Sequence, residues 1–141
     1  MGKNDNASFK SPSEIAQSWQ GSGKYPGIDR YRDITIKEGM VIYRGEPNGT
    51  EYFTTKSAIE RSGKEATRVF EGLQVEKNPI HGYRGNMQGY KITKDIRVAY
   101  GITKANPQFG QGGLPQIFVP EAERLIRQGI LLPVNNITLI K

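Results

Sequence analysis

The 141-residue chain contains no cysteine and a single histidine, His81. Without thiols there is no disulfide framework, no thiolate zinc site and no cysteine nucleophile, and one imidazole leaves little room for a histidine relay. A Ser/His/Asp triad would have to use His81, yet the chain has no Gly-x-Ser-x-Gly elbow to present the serine. Long apolar runs are missing too. The longest uncharged one, Ile130 to Val134, has five residues and includes Pro133, against about 20 for a bilayer span. Residues Met1 to Ser11 lack the basic-then-apolar order of a secretory signal, so export would use another part of a larger precursor or another route.

Seventeen glycines and eight prolines, with 35% hydrophobic and 24% charged residues, describe a globular chain rich in turns and short strands and exclude a coiled coil. The length fits one domain. Twenty Lys and Arg against fourteen Asp and Glu give a formal charge of +6. That sign favours an anionic partner: RNA, a phosphorylated cofactor or an acidic binding protein.

Residues 1–11 are polar and read as disordered or as a remnant. Ser11, Pro12 and Glu14 then fit an N-cap, a first-turn proline and a capping-box partner, predicting a short helix with Ile15, Ala16 and Trp19 on one face and Gly21 at its end. The punctuated stretch Gly21 to Gly27 marks the expected boundary, with a flexible segment over 1–24 and the main body over 25–141. Strands are expected at Ile34–Ile36 and Val41–Tyr43 around the Lys37–Gly39 turn, then at Glu51–Thr54, as an antiparallel meander. Residues 56–71 read as a helix bent or split at Gly63. Further strands are expected at Gln88–Thr93, Ile96–Tyr100, Gln116–Val119 and Asn136–Ile140. A helix over Pro120–Gln128 opens with proline and Glu121 and Glu123 at its positive end, and closes at Gly129. The sum is a mixed α+β domain with mostly antiparallel pairing.

Two segments carry chemical interest. In Asn106 to Pro120, Gly110, Gly112 and Gly113 permit close backbone approach to a ligand, and Gln116 stands where loop meets strand, offering one donor end and one acceptor end. A plain hairpin loop with a satisfied Gln explains the same spacing. In Val41 to Thr55, Arg44 ends an apolar strand and is followed by a turn and then Tyr52, Phe53, Thr54 and Thr55. A guanidinium there suits phosphate, with hydroxyls and rings lining a nucleotide pocket; an exposed strand-end Arg is the alternative.

Together the two segments resemble the tuberculosis necrotizing toxin family of NAD glycohydrolases. The likeness is carried by Arg44-Gly45 with Gly49, Tyr52, Phe53 and Thr54, by the loop Phe109-Gly110-Gln111-Gly112-Gly113 with Gln116 downstream, and by Leu125 to Leu131. It spans residues 40–132, and Leu114-Pro115 is its clearest departure from the family pattern. The resemblance implies a compact ADP-ribosyltransferase-related α+β fold with small antiparallel sheets and a few short helices. It also implies cleavage of NAD+ or NADP+ as substrate, with no cofactor or metal required. Carried over residue by residue, Gln116 is the catalytic-site glutamine and Arg44 the first phosphate or ribose ligand. Arg61 or Arg68 supplies a second arginine, Tyr52, Phe53 or Phe109 packs nicotinamide, and Thr54, Gly110 and Gly113 line the site. His81 is a weak candidate for a histidine that some members use. The likeness further implies the toxin tip of a larger secreted effector, as in contact-dependent inhibition or Rhs systems, acting in the target-cell cytoplasm and paired with an immunity protein of acidic face.

Three alternatives stand beside this reading. A mono-ADP-ribosyltransferase would need an acid near Gln116, and the nearest in sequence is Glu121. A basic ribonuclease would use His81 with a Lys or Tyr. A non-catalytic nucleic-acid binder would stack bases on Tyr and Phe beside Arg.

Overall fold

In the computed structural model, which describes residues 10–141, Ser11 caps the first helix, α1 (Pro12–Ser18), as its spacing to Glu14 predicts. The Ser11 hydroxyl accepts from the Glu14 N–H at 3.3 Å, and the Glu14 carboxylate accepts from the Ser11 N–H at 2.8 Å. Expectations for residues 1–9 lie outside the described residues. Then follow β1 (Arg32–Ile36), β2 (Val41–Glu46), β3 (Tyr52–Phe53), α2 (Lys56–Arg61), α3 (Ala66–Gly72), β4 (Asn86–Ile92), β5 (Ile96–Ile102), a 3-10 turn (Pro107–Phe109), β6 (Pro115–Phe118), α4 (Ala122–Arg127) and β7 (Leu131–Thr138). Gly63, at φ 64, separates α2 from α3, as its place in the helical pattern predicts.

The strands form two antiparallel sheets, ordered β1-β5-β6-β3 and β2-β4-β7. The expected meander of β1, β2 and β3 is corrected here. The turn at Lys37–Gly39 carries the chain from one sheet to the other, because Gly39 N–H donates to Ile92 O and Ile92 N–H to Met40 O, both at 2.7 Å. β1 pairs instead with β5, Ile36 opposite Ile96, and β2 with β4. The last strand is displaced from the expected Asn136–Ile140 and starts at Leu131, since Leu131 and Leu132 extend the ladder on β4 and Pro133 is accepted on this sheet edge. Pro120 lies ahead of α4 rather than in its first turn, with Glu121 in the left-handed conformation at φ 56.

Side-chain alternation along the strands makes three apolar layers. Ile36, Ile42, Phe53, Val98, Ile117 and Leu131 meet between the sheets. Tyr43, Val69, Phe70 and Met87 pack α2 and α3 on the outside of the second sheet. Ala16 of α1 packs with Tyr31, Ala99 and Phe118 on the outside of the first. α1 covers a sheet face, with the Ser13 hydroxyl donating to Asp33 at 2.9 Å and the Gln20 amide to Asp29 at 3.0 Å, and Tyr25 lies against Phe109 with ring centroids 4.7 Å apart. Three buried polar side chains join the segment after Tyr25 to residues 104–106. Asn106 accepts from Gly27 N–H at 2.8 Å, Asp29 accepts from Lys104 and Ala105 N–H at 2.8 Å each, and Gln74 accepts from Asn106 N–H at 2.9 Å.

The two sheets meet where Tyr43 and Thr54 exchange backbone hydrogen bonds of 2.9 and 2.7 Å. Tyr43 and Thr54, at this junction between β2 and the end of β3, both line a cleft between the sheets.

Candidate functional site

The cleft holds about 810 Å³, within the size range of small-molecule sites. One wall comes from the first sheet and the N-terminal segment, through Trp19, Tyr25, Tyr52 and Gln116; the other comes from Tyr43, Phe70, Met87 and the loop from Asn78 to Gly85. Across its mouth Lys24 pairs with Glu76 at 3.0 Å.

Gln116 is buried, at 7% exposure, on the inner strand β6. Its side-chain oxygen accepts from the Tyr31 hydroxyl at 2.6 Å. Its side-chain nitrogen has no protein acceptor among the described residues, yet it is not shut away from solvent, since no buried side-chain nitrogen or oxygen is left unpartnered. Burial, followed by the nearby Tyr52, pushes the Tyr31 phenol well above the ordinary tyrosine range, so it remains a hydrogen donor. Tyr52 is likewise raised by burial and then by Glu51. Its ring stands 5.2 Å from Phe118 and 6.0 Å from the half-exposed Trp19, which makes an aromatic wall beside the glutamine.

The other expected residues are placed differently. Phe53 touches the cleft lining but is only 1% exposed, with its ring packed against Tyr90 in the core at 5.8 Å. Thr54 reaches the cleft lining, but its hydroxyl donates to Pro115 O at 2.6 Å. Arg44 does not line the cleft. Its Nε donates to Glu46 at 2.9 Å, one Nη to Glu123 at 2.8 Å and the other to Thr50 O at 2.9 Å, while its guanidinium carbon lies 5.7 Å from the Phe53 ring centroid and 5.3 Å from that of Tyr90. Burial opposes its charge, but the Glu46 and Glu123 carboxylates outweigh that and hold its pKa above the ordinary arginine value. Tyr90 donates to the same Glu46, and burial together with that carboxylate pushes the phenol up to about 12. Arg44 therefore acts as the post of the turn from Glu46 to Thr50. Arg61 and Arg68 lie exposed on α2 and α3, away from the cleft.

Phe109, Gly110 and Gly113 are also outside the cleft lining. The glycine loop instead wraps the end of α3. Gly110 has φ +146, and a Cβ there would stand 2.3 Å from Glu71 O. Gly110→Ala is expected to destabilise the fold by about 2–4 kcal/mol, combining backbone strain with a steric clash; urea unfolding of the variant beside the parent measures it. Glu121 lies outside the cleft as well, paired with Arg124 at 2.9 Å.

The spacing of motifs missed Arg84. It stands half-buried in the cleft wall and donates to Pro47 O at 2.8 Å and Asn48 O at 2.9 Å, with no carboxylate partner among the described residues. Burial, then repulsion from Arg44, lowers its pKa from the ordinary arginine value. A guanidinium held by neutral carbonyls keeps its charge available to an anion. The sequence signal was a basic residue between Tyr83 and Gly85 in a loop that also carries His81; His81 lines the cleft but is exposed, and its side chain makes no hydrogen bond among the described residues.

Over residues 8–121 the chain matches the family model of the Rhs1 C-terminal toxin domain. It belongs to that family. Among solved structures, an Rhs1 C-terminal toxin domain is similar, at 26% sequence identity and a TM-score of 0.84 over 92% of this chain and 97% of that one; it was solved as Rhs1-CT in complex with its cognate immunity protein RhsI1. Tse6, solved in complex with Tsi6, has a TM-score of 0.51 at 14% identity over 96% of this chain and 99% of that one, a likeness of fold alone. No curated protein matches the chain. The Rhs1-type toxin domain is thus a small mixed α+β fold, and none of its described helices is long and apolar enough to cross a membrane.

Proposed function

We propose that this Rhs1-type toxin domain hydrolyses the bond between nicotinamide and ribose in NAD+ or NADP+, on a fold related to the ADP-ribosyltransferases. It would be delivered within a larger effector and deplete the dinucleotide pool of the target-cell cytoplasm. The observation that carries the reading is Gln116: a side-chain amide on a rigid strand, with its oxygen fixed and its nitrogen free, in a cleft that also holds the acid-free Arg84. When the C1′–N bond breaks, the bonding pair leaves with nicotinamide, which departs neutral. Positive charge then develops on the ribose, water adds at C1′, and its proton passes to solvent. Such a reaction asks for positioning and electrostatics more than for acid/base groups. Gln116 would order the ribose hydroxyls or the water, Arg84 would face the pyrophosphate together with Lys77, which lines the same wall beside Tyr83, and Tyr52 with Trp19 would pack nicotinamide. No cofactor enters this scheme. By analogy with Rhs1-CT, a cognate immunity protein would bind the domain, with an acidic face suited to the +6 charge.

Incubating the purified domain with NAD+ and separating the products by chromatography tests the proposal. Matched release of nicotinamide and ADP-ribose is the expected result. Intact NAD+ from a sample that degrades tRNA would replace the reading with the ribonuclease. Arg84→Gln is expected to raise KM for NAD+ by roughly ten-fold or more with kcat little changed, as removal of one charge-assisted contact made equally in ground and transition states should do.

A further inference from the structure

Tyr31 is outside every segment that pointed to the cleft, and it lies against Gln116 from the far side. Its ring is buried with Ala16, Ala99 and Phe118. Gly101, directly opposite Gln116 in the β5–β6 ladder, makes room for it: a Cβ at Gly101 would stand 3.0 Å from Tyr31 Cδ1 and 2.6 Å from Arg30 O. The phenol is thereby held with its oxygen 2.6 Å from the Gln116 oxygen, and Gln116 is its sole side-chain hydrogen-bond partner among the described residues.

That singular partnership decides which way the amide points. A glutamine amide can turn over about its last torsion and exchange N for O at little intrinsic cost. If Gln116 did so here, the phenolic hydrogen would face an N–H group and lose its one side-chain acceptor among the described residues, at a site only 8% exposed; leaving such a donor unmet is costly. The turned state is therefore disfavoured, and the cleft meets the two N–H donors in one plane.

From this geometry we infer that Tyr31 is the positioning residue of the cleft: it fixes both the plane of the Gln116 amide and the end that faces the ligand. Its effect on turnover rests on the hydrolase reading above, whereas its hold on the amide does not. Without the hydroxyl, the amide would divide its time between two orientations, one of them unproductive.

The test is Tyr31→Phe, which keeps the ring and removes only the hydroxyl, read by two measurements on the purified domain. In steady-state NAD+ hydrolysis, kcat is expected to fall by about 5–30-fold with KM within roughly two-fold. Placed on a Gln116→Ala background, the same change should cause no further fall, since Tyr31 acts through the amide; a merely structural role would add its loss in both backgrounds. In proton–nitrogen NMR spectra, the side-chain amide pair of Gln116, identified by its disappearance in Gln116→Ala, should shift or broaden in Tyr31→Phe. Unchanged kcat in an NAD+-hydrolysing protein, or an unmoved Gln116 pair, overturns the inference. If the parent domain leaves NAD+ intact, the hydrolase reading fails, and the NMR result alone decides whether Tyr31 holds the amide.

Discussion

Gln116→Ala is expected to lower kcat for NAD+ hydrolysis by about 10²–10³-fold, the usual cost of removing one preorganised polar group from a reacting centre. The fold should survive. Gln116 sits on β6 between β5 and β3, and its backbone bonds are untouched by truncation of the side chain. The buried Tyr31 hydroxyl would lose its acceptor, at about 1–3 kcal/mol, which thermal unfolding would register as a lowered midpoint with the transition intact. Two readings separate the roles of the residue. A folded variant with wild-type turnover would remove the amide from the chemistry, while a small stability loss with a large fall in kcat places its contribution in the transition state. KM should move far less than kcat, because the ligand is also held by the opposite wall at Arg84.

Arg44→Ala carries the largest expected effect on stability, about 3–5 kcal/mol by chemical denaturation, the range for taking one partner from a buried ion pair. The side chain is 7% exposed and Glu46 27%, so Glu46 would be left half-buried beside the Tyr90 hydroxyl, whereas Glu123, at 59%, can turn to water. The turn from Glu46 to Thr50 would also lose its tie to Thr50 O. Arg44→Lys keeps a charge but not the fork that reaches three acceptors, and is expected to recover only part of the loss. At a temperature where Arg44→Lys is folded, KM for NAD+ should stay near the parent value. A large rise in KM with stability unchanged would instead restore Arg44 to the phosphate role that the resemblance implies.

Much of the local structure was legible because its causes are local. Ser11 and Glu14 lie three residues apart and form the capping box that their spacing predicts. Gly63 parts two helices for a reason contained in a single φ angle. β1 and β2 were equally visible as strands, but their partners were not. A short turn between two strands favours a hairpin, and here Ile36 was drawn to Ile96 and Ile42 to Tyr90, where the inter-sheet core is built. The same contrast runs through the site. Gln116 stood out by its place after a glycine-rich loop. The loop itself proved to be shaped by the backbone of α3, with Gly112 N–H donating to Glu71 O at 3.1 Å. Arg44 was conspicuous as a charge at a strand end, while one of the two carboxylates that claim it, Glu123, belongs to a helix far along the chain. Arg84 and Tyr31 had no motif around them; one matters through the carbonyls of a distant turn, the other through a strand that it does not pair with.

The pairing of β1 with β5 bears on how the molecule comes into being. Distant segments must find one another before either sheet can reward the search, and the entropy of closing loops of that length is spent first. Chains dominated by such non-local pairing fold over about milliseconds to seconds, slower than helical bundles of similar size. Throughout that interval Tyr31 and Gln116 are strangers, since the strand that carries one and the segment that carries the other meet only through β5. The contact between Tyr31 and Gln116 thus forms only once β5 has joined both neighbours, and partial unfolding of the first sheet would be enough to break it.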